Sequence, residues 1–277
     1  MSKISDSPKN KYPEREEWLL FLKWARDFRR NRLKEIEKGG VWDSRFPGAH
    51  CILHWMAMPS EGQKPVDIEF VSKSAYKDFI AFGKKHHAKC YKNSDGLLIK
   101  TDFLEGSEEW LERFDGERQY LQGFQYTQIF RSGAVEAVYV PPTQRRKGKE
   151  TNYISLYAFE FFRRQIKNCM KRIFDLRFSS AVIIGISILG VKDYSIYTPI
   201  ISARYLVQLP QKIPDDADEV LNSAESDIKL VMRIENIQDI ENIDEQILQP
   251  IFDLLWRDFG FFECDRNFQN GSWELQQ

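Results

Sequence analysis

Apolar positions recur at helical spacing through residues 14–40, where Trp18, Leu22, Ala25, Leu33 and Ile36 share one face and Leu20, Trp24 and Phe28 form a second stripe beside it. Pro13 suits the first position of a helix and Gly39-Gly40 its end. The predicted helix therefore has more apolar width than one buried face requires. Its second stripe, Leu20, Trp24 and Phe28, is expected to dock a protein subunit or a second copy of the chain.

From residue 41 the pattern shortens to β-like runs: CILHWMAM, VDIEFV, GLLIKT, then FQYTQIF and AVEAVYV, which read as a hairpin around Arg131-Ser132-Gly133. SKSAYKDFIAFGKKH suits a short helix, and the acidic EGSEEWLERFDGE a surface excursion. A second amphipathic helix is predicted over residues 153–176, with Leu156, Phe159, Ile166, Cys169, Met170 and Ile173 apolar between arginines and lysines. AVIIGISIL reads as a buried strand, SARYLVQL and IKLVMRI as two more, and IDEQILQPIFDLLWRDFG as a closing helix bent or started at Pro250.

These elements predict an α+β fold, a mixed sheet with flanking amphipathic helices and an N-terminal linker helix. The expected divisions are a disordered tail over 1–13, the linker helix over 14–40 and one mixed α/β accessory domain over 41–277.

The segments FRRNRLKEIEKGG, ILHWMAMP, NSDGLLIK, YTQIFRSGAVEAV, VIIGISILGVKDYSI and LQPIFDLLWRDFGF together resemble a bacterial family over residues 28–273. They are similar to the region that follows the AlbA-type, Schlafen-like DNA-binding domain. The DNA-binding label belongs to that preceding domain, and nothing ahead of the long helix here is large enough to be it. The resemblance thus implies the accessory, sensing or partner-binding half, with no catalytic residue to carry over.

Composition narrows the picture. The chain has 277 residues, is 42% hydrophobic, and carries 40 Lys+Arg against 41 Asp+Glu, so any charge-based binding must be local. The neutrality arises by cancellation. Residues 145–177 hold ten cationic residues against three acids, and residues 214–245 hold eleven acids against Lys229 and Arg233. Arg145, Arg146, Lys147 and Lys149, with aromatic Tyr153, Tyr157, Phe161 and Phe162 nearby, are candidate nucleic-acid contacts. The competing reading is a solvated helix face paired within the chain.

Cys51, Cys90, Cys169 and Cys264 form no CxxC pair, which fits a reducing, cytoplasmic setting, and no apolar run is long enough to span a bilayer. The clusters His50-Cys51-Ile52-Leu53-His54 and His86-His87-Ala88-Lys89-Cys90 hold ligand types that zinc accepts. Strand alternation would nevertheless separate Cys51 from His50 and His54, so neither a metal nor another cofactor is expected.

Asp215, Asp227 and Lys229 resemble the PD-(D/E)xK arrangement, in which two carboxylates hold Mg²⁺ and lysine positions the attacking water. No G-x-S-x-G elbow, P-loop or HExxH accompanies them. A non-enzymatic module that binds or senses a protein or nucleoprotein partner is therefore expected. The alternatives are a metal-dependent nuclease and direct nucleic-acid binding.

Overall fold

The computed structural model describes residues 14–38, 49–59, 65–74, 76–81, 88–102, 118–120, 124–140, 144–146, 152–155, 157–173, 181–191, 194–197, 227–237, 240–259, 268–269 and 272–273. The expected tail over 1–13 and the SARYLVQL strand lie outside these residues.

The fold is α+β. Its centre is a seven-stranded sheet in the order β11-β9-β1-β6-β5-β3-β2. These strands are β1 (His50–Ala57), β2 (Lys89–Lys92), β3 (Gly96–Asp102), β5 (Phe124–Phe130), β6 (Val135–Val140), β9 (Val182–Leu189) and β11 (Ile228–Ile234). Every ladder in it is antiparallel. Mixed pairing is confined to a four-stranded sheet of β10 (Tyr194–Tyr197), β8 (Asn152–Ser155), β7 (Gln144–Arg146) and β4 (Arg118–Tyr120), where β8 and β10 run parallel. A short pair, β12 (Phe268–Gln269) and β13 (Ser272–Trp273), follows near the C-terminal end of the described chain.

The expected hairpin is β5–β6. Its tight turn is closed by Phe130 N–H donating to Ala134 O at 2.8 Å, with Gly133 at φ 90, a backbone region that a side chain disfavours.

Helices cover both faces of the large sheet. On one face lie α3 (Tyr157–Ile173) and α4 (Gln249–Asp258). Phe159, Phe161, Phe162 and Ile166 of α3 and Phe252 and Leu255 of α4 are fully buried against Leu53, Trp55, Ile184 and Ile186. Each large side chain so buried contributes about 1.5–3 kcal/mol of transfer free energy. A π-helical turn, Asp244–Leu248, feeds α4, and Pro250 sits in the first turn, where its missing N–H costs no helical bond.

On the opposite face lies α1 (Arg15–Glu37). Expected as a linker, this helix packs on the sheet: Trp18, Phe21 and Ala25 join Met56, Phe130 and Ile183, while Leu33 and Ile36 join Ile52, Tyr126 and Val138.

Two predicted elements change type. VDIEFV, predicted as a strand, contributes to the helix α2 (Ile68–Ser74), because the Asp67 Oδ1 accepts the Glu69 and Phe70 amides at 3.0 and 3.1 Å and caps the helix start. The second long helix begins only at Tyr157, since residues 152–155 are taken into the small sheet as β8.

Candidate functional site: a cationic groove beside the first helix

Cross-strand register sets Gln128, Glu136, His54, Gly185 and Val231 in one row across five strands. Period-two alternation turns the whole row toward α1. The centre of the row is charged and buried. Arg32 reaches down from α1 and forks onto Glu136, Nε to Oε2 at 2.9 Å and Nη2 to Oε1 at 2.8 Å. Tyr126 Oη donates to Oε1 at 2.8 Å, and His54 Nε2 lies 3.0 Å from Oε2.

Burial alone would raise the Glu136 carboxyl, but the hydrogen bonds and charges of His54 and Arg32 outweigh it and bring the pKa down to about 2. Burial pulls Arg32 down and Glu136 pushes it further up, so Arg32 stays charged. Burial and the adjacent Glu136 carboxylate both raise the Tyr126 hydroxyl. The cluster thus holds a carboxylate that accepts four hydrogen bonds and has no proton to exchange near neutral pH. It anchors α1 to the sheet.

One turn away stands a cation of a different kind. Arg29 Nη2 donates to Ile186 O at 3.0 Å and Ser187 Oγ at 2.8 Å, both neutral acceptors, and its Nε is buried without a partner. No described carboxylate compensates it, and burial lowers its pKa. Gly185 makes room for it, since a Cβ there would lie 2.8 Å from Arg29 Cδ and Nε.

Arg29 lines the floor of a groove of about 730 Å³ between α1 and the edge strand β11. The apolar lining comes from Leu19, Leu22, Leu33, Met56, Ile183 and Val231. The charged lining among the described residues is Lys23, Arg26, Arg30, Lys34 and Lys229, with Glu37 as the one acid. Asp27 bridges to Arg30 at 3.0 Å, and Lys229 lies 3.6 Å from Glu37. Leu19 and Val231 are 57% and 60% exposed, so apolar surface continues beyond the groove on both walls.

The sequence candidates fare unevenly. Trp24 and Phe28 are half-buried on the other flank of α1, where Trp24 stacks between Phe21 and Phe28 at 5.7 and 5.6 Å and Phe28 meets Phe130 edge-on at 5.0 Å. The supposed unpartnered stripe is therefore largely occupied by the chain's own sheet. Only Leu20 remains open, at 70% exposure. Arg145 and Arg146 lie on β7, with their side chains outside the described residues, as are Lys147 and Lys149.

Of the rest of the basic segment on α3, all but the exposed Lys171 is paired within the chain. Lys167 binds Asp244 at 2.7 Å, Arg164 binds Glu160 at 2.6 Å, and Arg172 binds Asp78. Phe161 and Phe162, considered as stacking platforms, are core residues.

Of the nuclease candidates, Asp215 lies outside the described residues. Asp227 Oδ1 accepts the Gly190 amide at 2.8 Å, closing the end of β9, and Lys229 lies 4.0 Å from its other oxygen. His50 and His54 share the α1 face and Cys51 points the other way, as alternation requires, while His86 and His87 lie outside the described residues. Among the described residues no three His, Cys, Asp or Glu side chains converge on a metal position, and no helix is long and apolar enough to cross a membrane. Burial pushes the Cys51 and Cys169 thiols up, away from a reactive thiolate.

No protein-family model, curated protein or solved structure matches the chain.

The groove was overlooked in the sequence although half of its signal is there. Lys23, Arg26, Arg30 and Lys34 follow a 3-4-4 spacing that lines one flank of a helix. The other wall, Lys229 and Val231, is nearly two hundred residues downstream and only the sheet order brings it alongside.

Proposed function

We propose that the chain is a non-enzymatic, cytoplasmic binding module that docks a protein or nucleoprotein partner in the groove between α1 and β11. The observation that carries this reading is Arg29, a cation set on the groove floor with neutral partners only. Arg29 is half-buried, and even partial burial of such a charge costs stability that an anionic partner would offset. The resemblance to the region following a Schlafen-like domain is in keeping with it. The segments that carry that resemblance build the C-terminal part of α1, β1, β3, the β5–β6 hairpin, β9, β10 and α4; of these α1, β1 and β9 contribute to the groove lining, and β11 lies outside them.

The test is a comparison of wild type with Lys23→Glu/Lys34→Glu, two exposed groove residues without ion pairs among the described residues. Quantitative cross-linking in cell extract should show a defined partner held by the wild type and lost from the variant, at unchanged melting temperature. An identical cross-link set, or Mg²⁺-dependent nucleic-acid cleavage that disappears in Asp227→Ala, would overturn the reading.

A further inference from the structure

We infer that the occupant of this groove is an acidic amphipathic segment of a partner protein, a proposal that rests on the binding-module reading and deepens it. The lining residues run from Leu19 to Glu37 along α1. At about 1.5 Å per residue that is roughly 27 Å, too long for one small molecule and the length of about eight extended residues or five helical turns.

The chemistry of the walls points the same way. The floor and walls are largely apolar, with cations along the rim, which suits a ligand that alternates apolar anchors with carboxylates. A single-stranded nucleic acid fits less well. Its phosphates match the rim, but among the described residues no aromatic ring lines the groove to stack a base, and the apolar side chains would face sugars and phosphates.

Lys23 and Lys34 stand at opposite ends of the rim with no ion pair among the described residues. Arg29 supplies a half-buried cation between them, its Nε without a partner. A carboxylate entering there would meet a guanidinium that the fold has already oriented through Ser187 and Ile186.

The experiment is selection from a random 16-residue peptide phage library on the full chain, followed by fluorescence anisotropy of the enriched peptides. A 20-nucleotide single strand is titrated in parallel. The inference expects enriched peptides rich in Asp and Glu interleaved with Leu, Ile or Phe. Their affinity should fall roughly tenfold or more in Lys23→Glu/Lys34→Glu and weaken with added salt. Neutral or basic consensus peptides, equal binding to the variant, or no enrichment would each overturn it. A single strand that binds the wild type and not the variant would also overturn the acidic-peptide inference while leaving a groove-binding module standing. Loss of that module reading would instead show as cross-links indifferent to the charge reversal.

Discussion

Arg32 and Glu136, 104 residues apart, meet in a two-pronged ion pair under α1, with the carboxylate fully buried and Tyr126 and His54 completing its hydrogen bonds. Without this pair the helix would rest on the sheet through apolar contacts and the hydrogen bonds of Arg29 to Ile186 and Ser187. With it, the register of α1 over the groove is fixed, because a slip of one residue would strand a buried charge. Glu136→Gln removes the charge and leaves Arg32 and His54 facing an amide. The expected loss is about 3–5 kcal/mol by urea unfolding at neutral pH. A loss below about 1 kcal/mol would show that the pair is not needed to hold the helix down.

Acid should unfold the protein partly through the same group. The folded Glu136 has a pKa of about 2 against an ordinary value of 4.5, so its contribution is complete above pH 4.5 and is lost as pH falls toward 2. A depression of that size corresponds to roughly 3 kcal/mol. Unfolding free energy measured from pH 7 to pH 2.5 should fall steeply below pH 4.5 in the wild type and less steeply in Glu136→Gln. Parallel profiles would place the acid sensitivity in other carboxylates.

Much of the fold was legible because it rests on local periodicity: α1, β1, the β5–β6 hairpin, β9 and β11 follow from spacing alone. Asp67 defeated the pattern at VDIEFV, because a capping side chain can outweigh the β-propensity of Val and Ile over six residues. The candidate site was half legible. The charge count points to residues 145–177, yet of the described α3 cations there all but Lys171 have intramolecular acids. Lys23, Arg29 and Lys34, which have no acid partner among the described residues, are spaced along α1, where the apolar stripes dominate the pattern. That Arg29 lacks a carboxylate and Arg32 has one is beyond any sequence pattern, since both lie in the same FRRNR run.

Trp24→Ala separates two views of the aromatic stripe. Trp24 is stacked between Phe21 and Phe28 and packs against the apolar cluster between α1 and the sheet. Truncation should cost about 2–3 kcal/mol in the isolated chain, somewhat below the figure for a fully buried aromatic. Differential scanning fluorimetry without any partner is sufficient to read it. An unchanged melting temperature would return Trp24 to the role of an exposed docking anchor.

Gly185→Ala places a methyl group against Arg29. The side chain must shift away from Ser187, because the new Cβ would lie 2.8 Å from its Cδ and Nε. The expected cost is about 1–2 kcal/mol, with weakened binding of any anionic peptide that uses Arg29. Arg29→Met/Gly185→Ala should recover part of the stability, since the clashing guanidinium is gone. If the double variant is no more stable than Gly185→Ala, the glycine serves the backbone of β9 and not the arginine.

The two arginines of one helical turn make the sharpest contrast. Replacing Arg32 by Met leaves the Glu136 carboxylate buried with only Tyr126 and His54, and should cost about 3–5 kcal/mol. Replacing Arg29 by Met removes a charge that no described carboxylate balances. It sacrifices hydrogen bonds to Ser187 and Ile186 but relieves the partial burial of a cation. The two changes nearly cancel, so Arg29→Met should alter stability by no more than about 1 kcal/mol in either direction. A residue kept for folding would not behave so. Arg29→Met should at the same time weaken binding of acidic peptides in the groove, whereas Arg29→Lys should retain part of it. Paired denaturation and anisotropy measurements on the two variants decide the matter. Should Arg29→Met prove as damaging to stability as Arg32→Met, Arg29 is a structural cation, and the main support for an anionic partner in this groove is gone.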